Sequence, residues 1–281
     1  MRDEGRNRPL IGFTVLGPAS VGTLLGALVL AGDAPRAYLG TAAVTTFLLA
    51  LLAVVLSLAH LDKPFRGYRA LRRFPTSALS REIAVFGGYT CGAGVYAAAM
   101  LAGAQPLWPG VAIVVLGAAA VLAMAHVYVI PGRPAWRHWS TVAGFAGCAL
   151  SLGPALALAL AAAWWPETLG GDGALVVRSV VISGVALAAV ALWARTVRWY
   201  KVFARGTVAT EAVPGRSSGL WVARVVVGLM LPVVVLATAP TSAMVAALAA
   251  LALLAGETAD RTMFFAAGGP RPIGSEIPGA R

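Results

Sequence analysis

Eight apolar runs, each close to the roughly 20 residues a helix needs to cross a bilayer, dominate this 281-residue chain. They cover 10–32, 38–61, 82–104, 107–130, 139–164, 174–197, 220–239 and 241–256. The last is short, and Glu257 to Phe265 is expected to continue its helix into the interface. Breaks fall where turn residues cluster: Asp33–Pro35, Lys63–Pro64, Pro106, Pro131–Pro134, Glu167–Gly173, Pro214–Ser218 and Pro240. Apolar-polar alternation is missing, which argues against a barrel. Glycine and alanine are frequent inside the runs and suit close helix packing in lipid.

Composition agrees with spans. Apolar residues make up 59% and charged residues 12%, whereas a soluble chain carries about 25% charged. Too little charge exists to clothe a water-facing surface of this size, so a soluble enzyme and a disordered chain are both set aside. The expected fold is an all-α integral membrane bundle of eight helices over residues 1–265, with a flexible cytoplasmic tail at 266–281. No cleaved signal is expected, because the first apolar run is too long for one.

The net charge of +11 is one-sided. Of 22 Lys and Arg, nineteen fall in the N-terminus, the loops after spans 2, 4 and 6, and the tail. One, Arg36, falls on the other side, and Arg178 and Arg224 lie inside spans. This asymmetry predicts cytoplasmic N- and C-termini. It also accounts for the basic character through anionic lipid, with no nucleic-acid partner. Arg178 and Arg224 are each expected to snorkel to the nearer interface. Cys91 and Cys148 are too few for a metal or cluster site and are expected to be small core residues.

The richest chemistry lies between spans 2 and 3. His60 ends span 2, Asp62-Lys63-Pro64-Phe65-Arg66 follows, and Ser77-Ala78-Leu79-Ser80-Arg81-Glu82 opens span 3. A helical hairpin returns Glu82 to the membrane face that His60 left, so the two share one depth. An imidazole and a partly desolvated carboxylate there suit a quinol, whose oxidation releases two electrons and two protons. A histidine bonded to headgroups and an acid placed by the helix dipole explain the same residues without a site. Tyr128 and Arg224 are further candidates to touch the quinol. Arg66, Arg69, Arg72 and Arg73 form either a docking surface or a solvated loop. Glu257 and Arg261, four apart, read as a helix pair. A secondary transporter is the rival class, although no span carries an acid at its middle.

The stretch from His60 to Glu82 resembles the signature of the membrane anchor subunit family of dimethyl sulfoxide reductase, H-L-x-x-P-x-R-A followed by S-W-L-S-x-E. Phe13-Thr14 resembles that family's opening, Tyr128 with Pro134-Ala135-Trp136 its Y…P-A-W, and Glu257, Arg261, Phe264 and Phe265 its E-x-x-x-R-x-x-F-Y. Gly67, Ala78 and Phe265 depart from the usual Ala, Trp and Tyr. The resemblance implies a bacterial inner-membrane anchor that oxidises menaquinol from the quinone pool at His60 and Glu82 during anaerobic respiration. It implies two partners, a ferredoxin-like iron–sulfur subunit and a molybdopterin catalytic subunit. The anchor itself is expected to carry no haem, metal or iron–sulfur cluster. An anchor of a polysulfide- or formate-type complex would look similar. The terminal acceptor is decided in another polypeptide.

Overall fold

Long apolar runs with no water to satisfy their backbone must form helices, and the computed structural model shows this throughout. It describes residues 4–59, 74, 76–104, 107–203, 218–240 and 242–267. Helices are α1 Glu4–Val29, α2 Arg36–Ala59, α3 Ala78–Leu101, α4 Leu107–Tyr128, α5 Trp139–Trp164, α6 Asp172–Phe203, α7 Ser218–Val222, α8 Leu231–Thr238 and α9 Ala243–Ala267. Ala223–Met230, between α7 and α8, is wound as a π-helix and joins them into one span. Eight membrane-spanning units result, and the described residues include no strand.

Proline and capping set the boundaries. Ser77, in extended conformation, accepts from the Ser80 backbone N–H at 3.3 Å and starts α3. His138 does the same for α5 through Ser140 N. Pro9, Pro18 and Pro154 lie inside helices, tolerated because neighbouring helices enclose the freed backbone groups.

Helices α1 and α5 form the inner layer. Helix α1 packs on α2, α4, α5 and α9, and α5 on α1, α4, α6 and α9. Their approach is set by missing side chains: a Cβ on Gly22 would run into the Ala149 carbonyl, and one on Gly153 into the Gly22 backbone. Small residues let backbones touch, which is what drives association where lipid is as apolar as the protein. The outward faces of α2 and α4 show large aliphatics such as Leu48, Leu52, Val115 and Leu122. Cys91 and His126 are also on the outer surface, so Cys91 is not the core residue expected from sequence. Cys148 is buried.

Loop contacts fix which helix ends share a face. Gly173 N donates to Asp33 at 2.9 Å, joining the first loop to the start of α6. On the opposite, basic face the 129–138 segment is tied to α6 by Arg198 Nε to Pro134 O at 3.3 Å and Trp199 Nε1 to Ala135 O at 3.3 Å. Trp136 Nε1 ties it to α9 through Phe264 O at 2.8 Å.

The structure revises the places of several charged residues. The last span is α9, which continues as expected through Glu257–Phe265, with most of that portion buried against neighbouring helices. Arg195 and Arg261, counted among loop and tail cations, lie within α6 and α9 and are buried. Removing these two from nineteen leaves seventeen against one, so the asymmetry survives. Arg224 does not snorkel: it is 1% exposed. Arg178 donates to the Leu236 and Ala239 carbonyls and caps the end of α8, so its guanidinium sits at the end of a span. Helix α9 runs to Ala267, and the remainder of the expected 266–281 tail lies outside the described residues.

Candidate functional site

Glu82 sits one turn into α3, on the basic face, five residues after the Ser77 cap. Its side chain is turned inward and 5% exposed, and its Oε1 has no hydrogen-bond partner among the described residues. Oriented N–H groups of the first helical turn favour negative charge there, while burial disfavours it. An unsatisfied carboxylate oxygen in such surroundings is costly and is suited to receiving a hydrogen bond or a proton. His60, its expected companion, lies outside the described residues, as do Arg66, Arg69, Arg72 and Arg73.

Tyr128 closes α4 at the same face and is 8% exposed. Its ring stacks on Phe145 at 5.7 Å and meets Trp136, Phe264 and Phe265 edge-on at 5.4 to 5.6 Å. Glu82 on α3 and Arg261 on α9 are both near enough to it to interact electrostatically. Phe13 and Phe86, 5.3 Å apart and edge-to-face, extend the same apolar cluster beneath Glu82. Motifs far apart in sequence thus share one aromatic wall at the basic face: Phe13, Tyr128, Phe264 and Phe265, with Trp136 packed against it.

Behind this wall lies a cluster that sequence reasoning largely missed. Arg195 donates to Asp260 Oδ1. Arg224 Nη1 donates to Glu257 Oε1 at 2.7 Å, and its Nε lies 3.5 Å from Asp260 Oδ1. Arg261 Nη2 donates to Gly144 O at 3.2 Å, and its guanidinium carbon is 3.9 Å from the centre of the Phe145 ring. All five charged side chains are at most 1% exposed. Glu257 pairs with Arg224 across helices, not with Arg261 along its own, so the expected helix pair is replaced. The available signal was three ionisable residues, Glu257, Asp260 and Arg261, inside a helix that runs on to buried Phe264 and Phe265. Ionisable groups in a span mark the bundle interior. For Arg195 the signal was weaker, because the apolar run could equally end before it.

Two glycines make the Arg224–Glu257 pair possible. A Cβ on Gly228 would run into Gly256 Cα, and the reverse holds as well. The π-helix and α9 therefore cross backbone to backbone beside the pair. A π-helix also rotates the residues that follow it relative to α-helical register, and such segments concentrate at functional sites.

The model of the DMSO reductase anchor subunit (DmsC) family matches residues 1–267. The chain belongs to this family. Among curated relatives, the anaerobic dimethyl sulfoxide reductase chain YnfH of Escherichia coli (strain K12) is 32% identical over 161 residues. That alignment covers 54% of this chain and 56% of the relative, so the chain spans little more than half the length of the relative it matches. Family membership makes this a multi-pass membrane anchor of a dimethyl-sulfoxide-reductase-type complex and sets aside the permease reading. The family match includes Glu82, Tyr128 and all five charged residues of the buried cluster.

Proposed function

We propose that the chain is the menaquinol-oxidising anchor of a respiratory reductase complex in the bacterial inner membrane, with both termini in the cytoplasm. It passes electrons to a ferredoxin-like iron–sulfur subunit, which feeds a molybdopterin catalytic subunit during anaerobic respiration. The observation that carries this reading is Glu82: a buried carboxylate with an unpartnered oxygen, one turn inside the basic face, beside an aromatic wall. Family membership supports the partners.

The residues fit a quinol. Glu82 Oε1 is free to accept the proton of a quinol hydroxyl and release it to water at the basic face. Tyr128, held by four aromatic neighbours, offers a rigid flat wall and a hydroxyl at the edge of the apolar cluster. His60, preceding the same loop, supplies the hydrogen bond that orients the second quinol oxygen. Arg224 is engaged by Glu257 and Asp260, and its role is to hold the bundle behind the site.

Turnover with menaquinol compared with a dye that reduces the catalytic subunits directly tests the reading. His60→Ala and Glu82→Gln should leave assembly and dye-driven turnover intact. Each should lower menaquinol turnover by about 10- to 150-fold, the equivalent of one hydrogen bond to a charged or reacting group. The combined loss should be less than the sum, since both serve one step. Undiminished menaquinol turnover in both variants overturns the assignment.

A further inference from the structure

The outward side of α2 changes character half-way along. Its second half presents large exposed aliphatics such as Leu48, Leu52 and Val55. Its first half carries shorter residues, and a groove of about 540 Å³ opens there, lined by Gly40, Thr41, Val44 and Thr45 and by Met100 near the end of α3. Most glycines within the spans are required by a neighbour: a Cβ on Gly94 would strike Phe47, and one on Gly117 would strike Tyr89 and Val21. Gly40 is different. Apart from its own helix backbone and chain neighbours, no atom comes within 4 Å of the place its Cβ would take. Its missing side chain leaves room that no part of the described chain fills.

The groove is charged at one end only. Arg36, the first residue of α2, stands at its mouth, on the face where Asp33 meets Gly173. Thr41 and Thr45 spend their hydroxyl protons on the Ala37 and Thr41 carbonyls at 3.0 and 2.9 Å, so neither offers a donor to the groove. Arg36 makes no ion pair among the described residues, and the nearest acid in sequence, Asp33, accepts from Gly173 N. A cation in the first turn also adds to the positive end of the helix dipole. An anionic group from outside the chain relieves both conditions.

Length fits as well as charge. From Arg36 to Thr45 the helix rises about 14 Å, close to half of a hydrocarbon core about 30 Å thick. The groove thus runs from the interface toward the bilayer midplane, the depth of one leaflet. We propose that it seats an acyl chain of a glycerophospholipid from the leaflet opposite the basic face, with Arg36 holding the lipid phosphate. A guanidinium meets a phosphate with two parallel N–H donors, while the apolar floor takes a flexible chain in the room Gly40 leaves. A free phosphate would leave the apolar length unused, and a diacylglycerol would leave Arg36 unpaired. The site is at the far end of the bundle from Glu82, so it stands whether or not quinol oxidation is the chain's function.

Thermal unfolding of the full-length chain in detergent, titrated with dioleoyl phosphatidylglycerol, dioleoylglycerol or inorganic phosphate, is the test. The midpoint should rise saturably with the phospholipid, as expected for a ligand that binds only the folded state, and should stay level with the other two. Arg36→Gln, at an exposed position, should fold as the parent does and need about tenfold more phospholipid for the same rise, the loss expected of one charge-assisted hydrogen bond. Gly40→Leu puts a side chain into open space and a better helix former into α2. It should keep or raise the lipid-free midpoint and lose the lipid-dependent rise. Native mass spectrometry should find one fewer phospholipid on Gly40→Leu than on the parent. An equal rise with dioleoylglycerol overturns the phosphate contact, and a rise with inorganic phosphate alone overturns the lipid as its source. A phospholipid-dependent rise that both variants keep undiminished overturns the location. No saturable rise, with no difference in retained lipid, overturns the proposal outright.

Discussion

Arg224 on the π-helical segment and Glu257 on α9 form a 2.7 Å ion pair with neither side chain more than 1% exposed. Breaking a buried pair from one side leaves the other charge uncompensated, typically at a cost of about 3–5 kcal/mol. Arg224→Met and Glu257→Gln should each destabilise the chain by about that much. The double variant should lose less than the sum, because the stranded charge goes too. Unfolding in detergent measures this, and full additivity would show the pair to be uncoupled.

The Gly228–Gly256 crossing that permits this pair should be intolerant of any side chain. Gly228→Ala or Gly256→Ala drives a methyl into the opposing backbone, and overpacking of this kind costs about 1–3 kcal/mol. Gly219, with open space around its Cβ position, is the control: Gly219→Ala should leave accumulation in the membrane and the unfolding midpoint unchanged.

Tyr128 separates packing from chemistry. Tyr128→Phe keeps the ring against Phe145, Trp136, Phe264 and Phe265, and should unfold as the parent does. If the hydroxyl contacts the quinol, menaquinol turnover should fall while dye-driven turnover holds. Tyr128→Ala removes the ring and should cost about 3–5 kcal/mol, as large aromatic truncations do. Equal turnover in Tyr128→Phe and the parent would leave the tyrosine a packing residue.

His138 gives the basic face a pH signature. Burial first, and then the nearby Arg198 guanidinium on α6, holds its imidazole below the ordinary histidine value. Its Nδ1 lies 2.9 Å from Ser140 Oγ and accepts from Ser140 N at 3.4 Å, so the neutral ring is the capping form. Below the ordinary histidine value the unfolded chain takes up a proton that the folded chain resists. His138 therefore makes stability fall as pH drops through that value, with no such loss above it. His138→Asn keeps a capping oxygen and should flatten this part of the profile. Unfolding midpoints between about pH 5 and 8 check it, and an unchanged slope would assign the dependence to another group.

Sidedness is directly measurable. Reporters in the Gly170–Gly171 loop and at Arg281 should give opposite signals, the second cytoplasmic. Like signals from both would contradict a bundle in which Asp33 and Gly173 meet at one face while Trp136 and Phe264 meet at the other.

Hydropathy and the placement of Lys and Arg are local properties of the chain, summed over about 20 residues at a time, and bilayer thickness converts them into spans and loops. Eight spans, the basic face, and the positions of His60 and Glu82 beside one loop were therefore legible in order of residues alone. Glu82's inward turn and free oxygen were not, because a helix start offers the same residue to lipid or to a neighbour, and α2 and α4 decide which. Arg195, Arg224 and Arg261 mark the clearest divide. Read along the chain, each is a cation near a helix end and belongs at the interface. In three dimensions Gly228 and Gly256 bring two backbones into contact, Glu257 and Asp260 on α9 reach Arg224 and Arg195 on other helices, and Arg261 finds the Gly144 carbonyl on α5. Which partner a buried charge finds depends on how helices cross, and that is a property of the packed bundle that no single stretch of sequence contains.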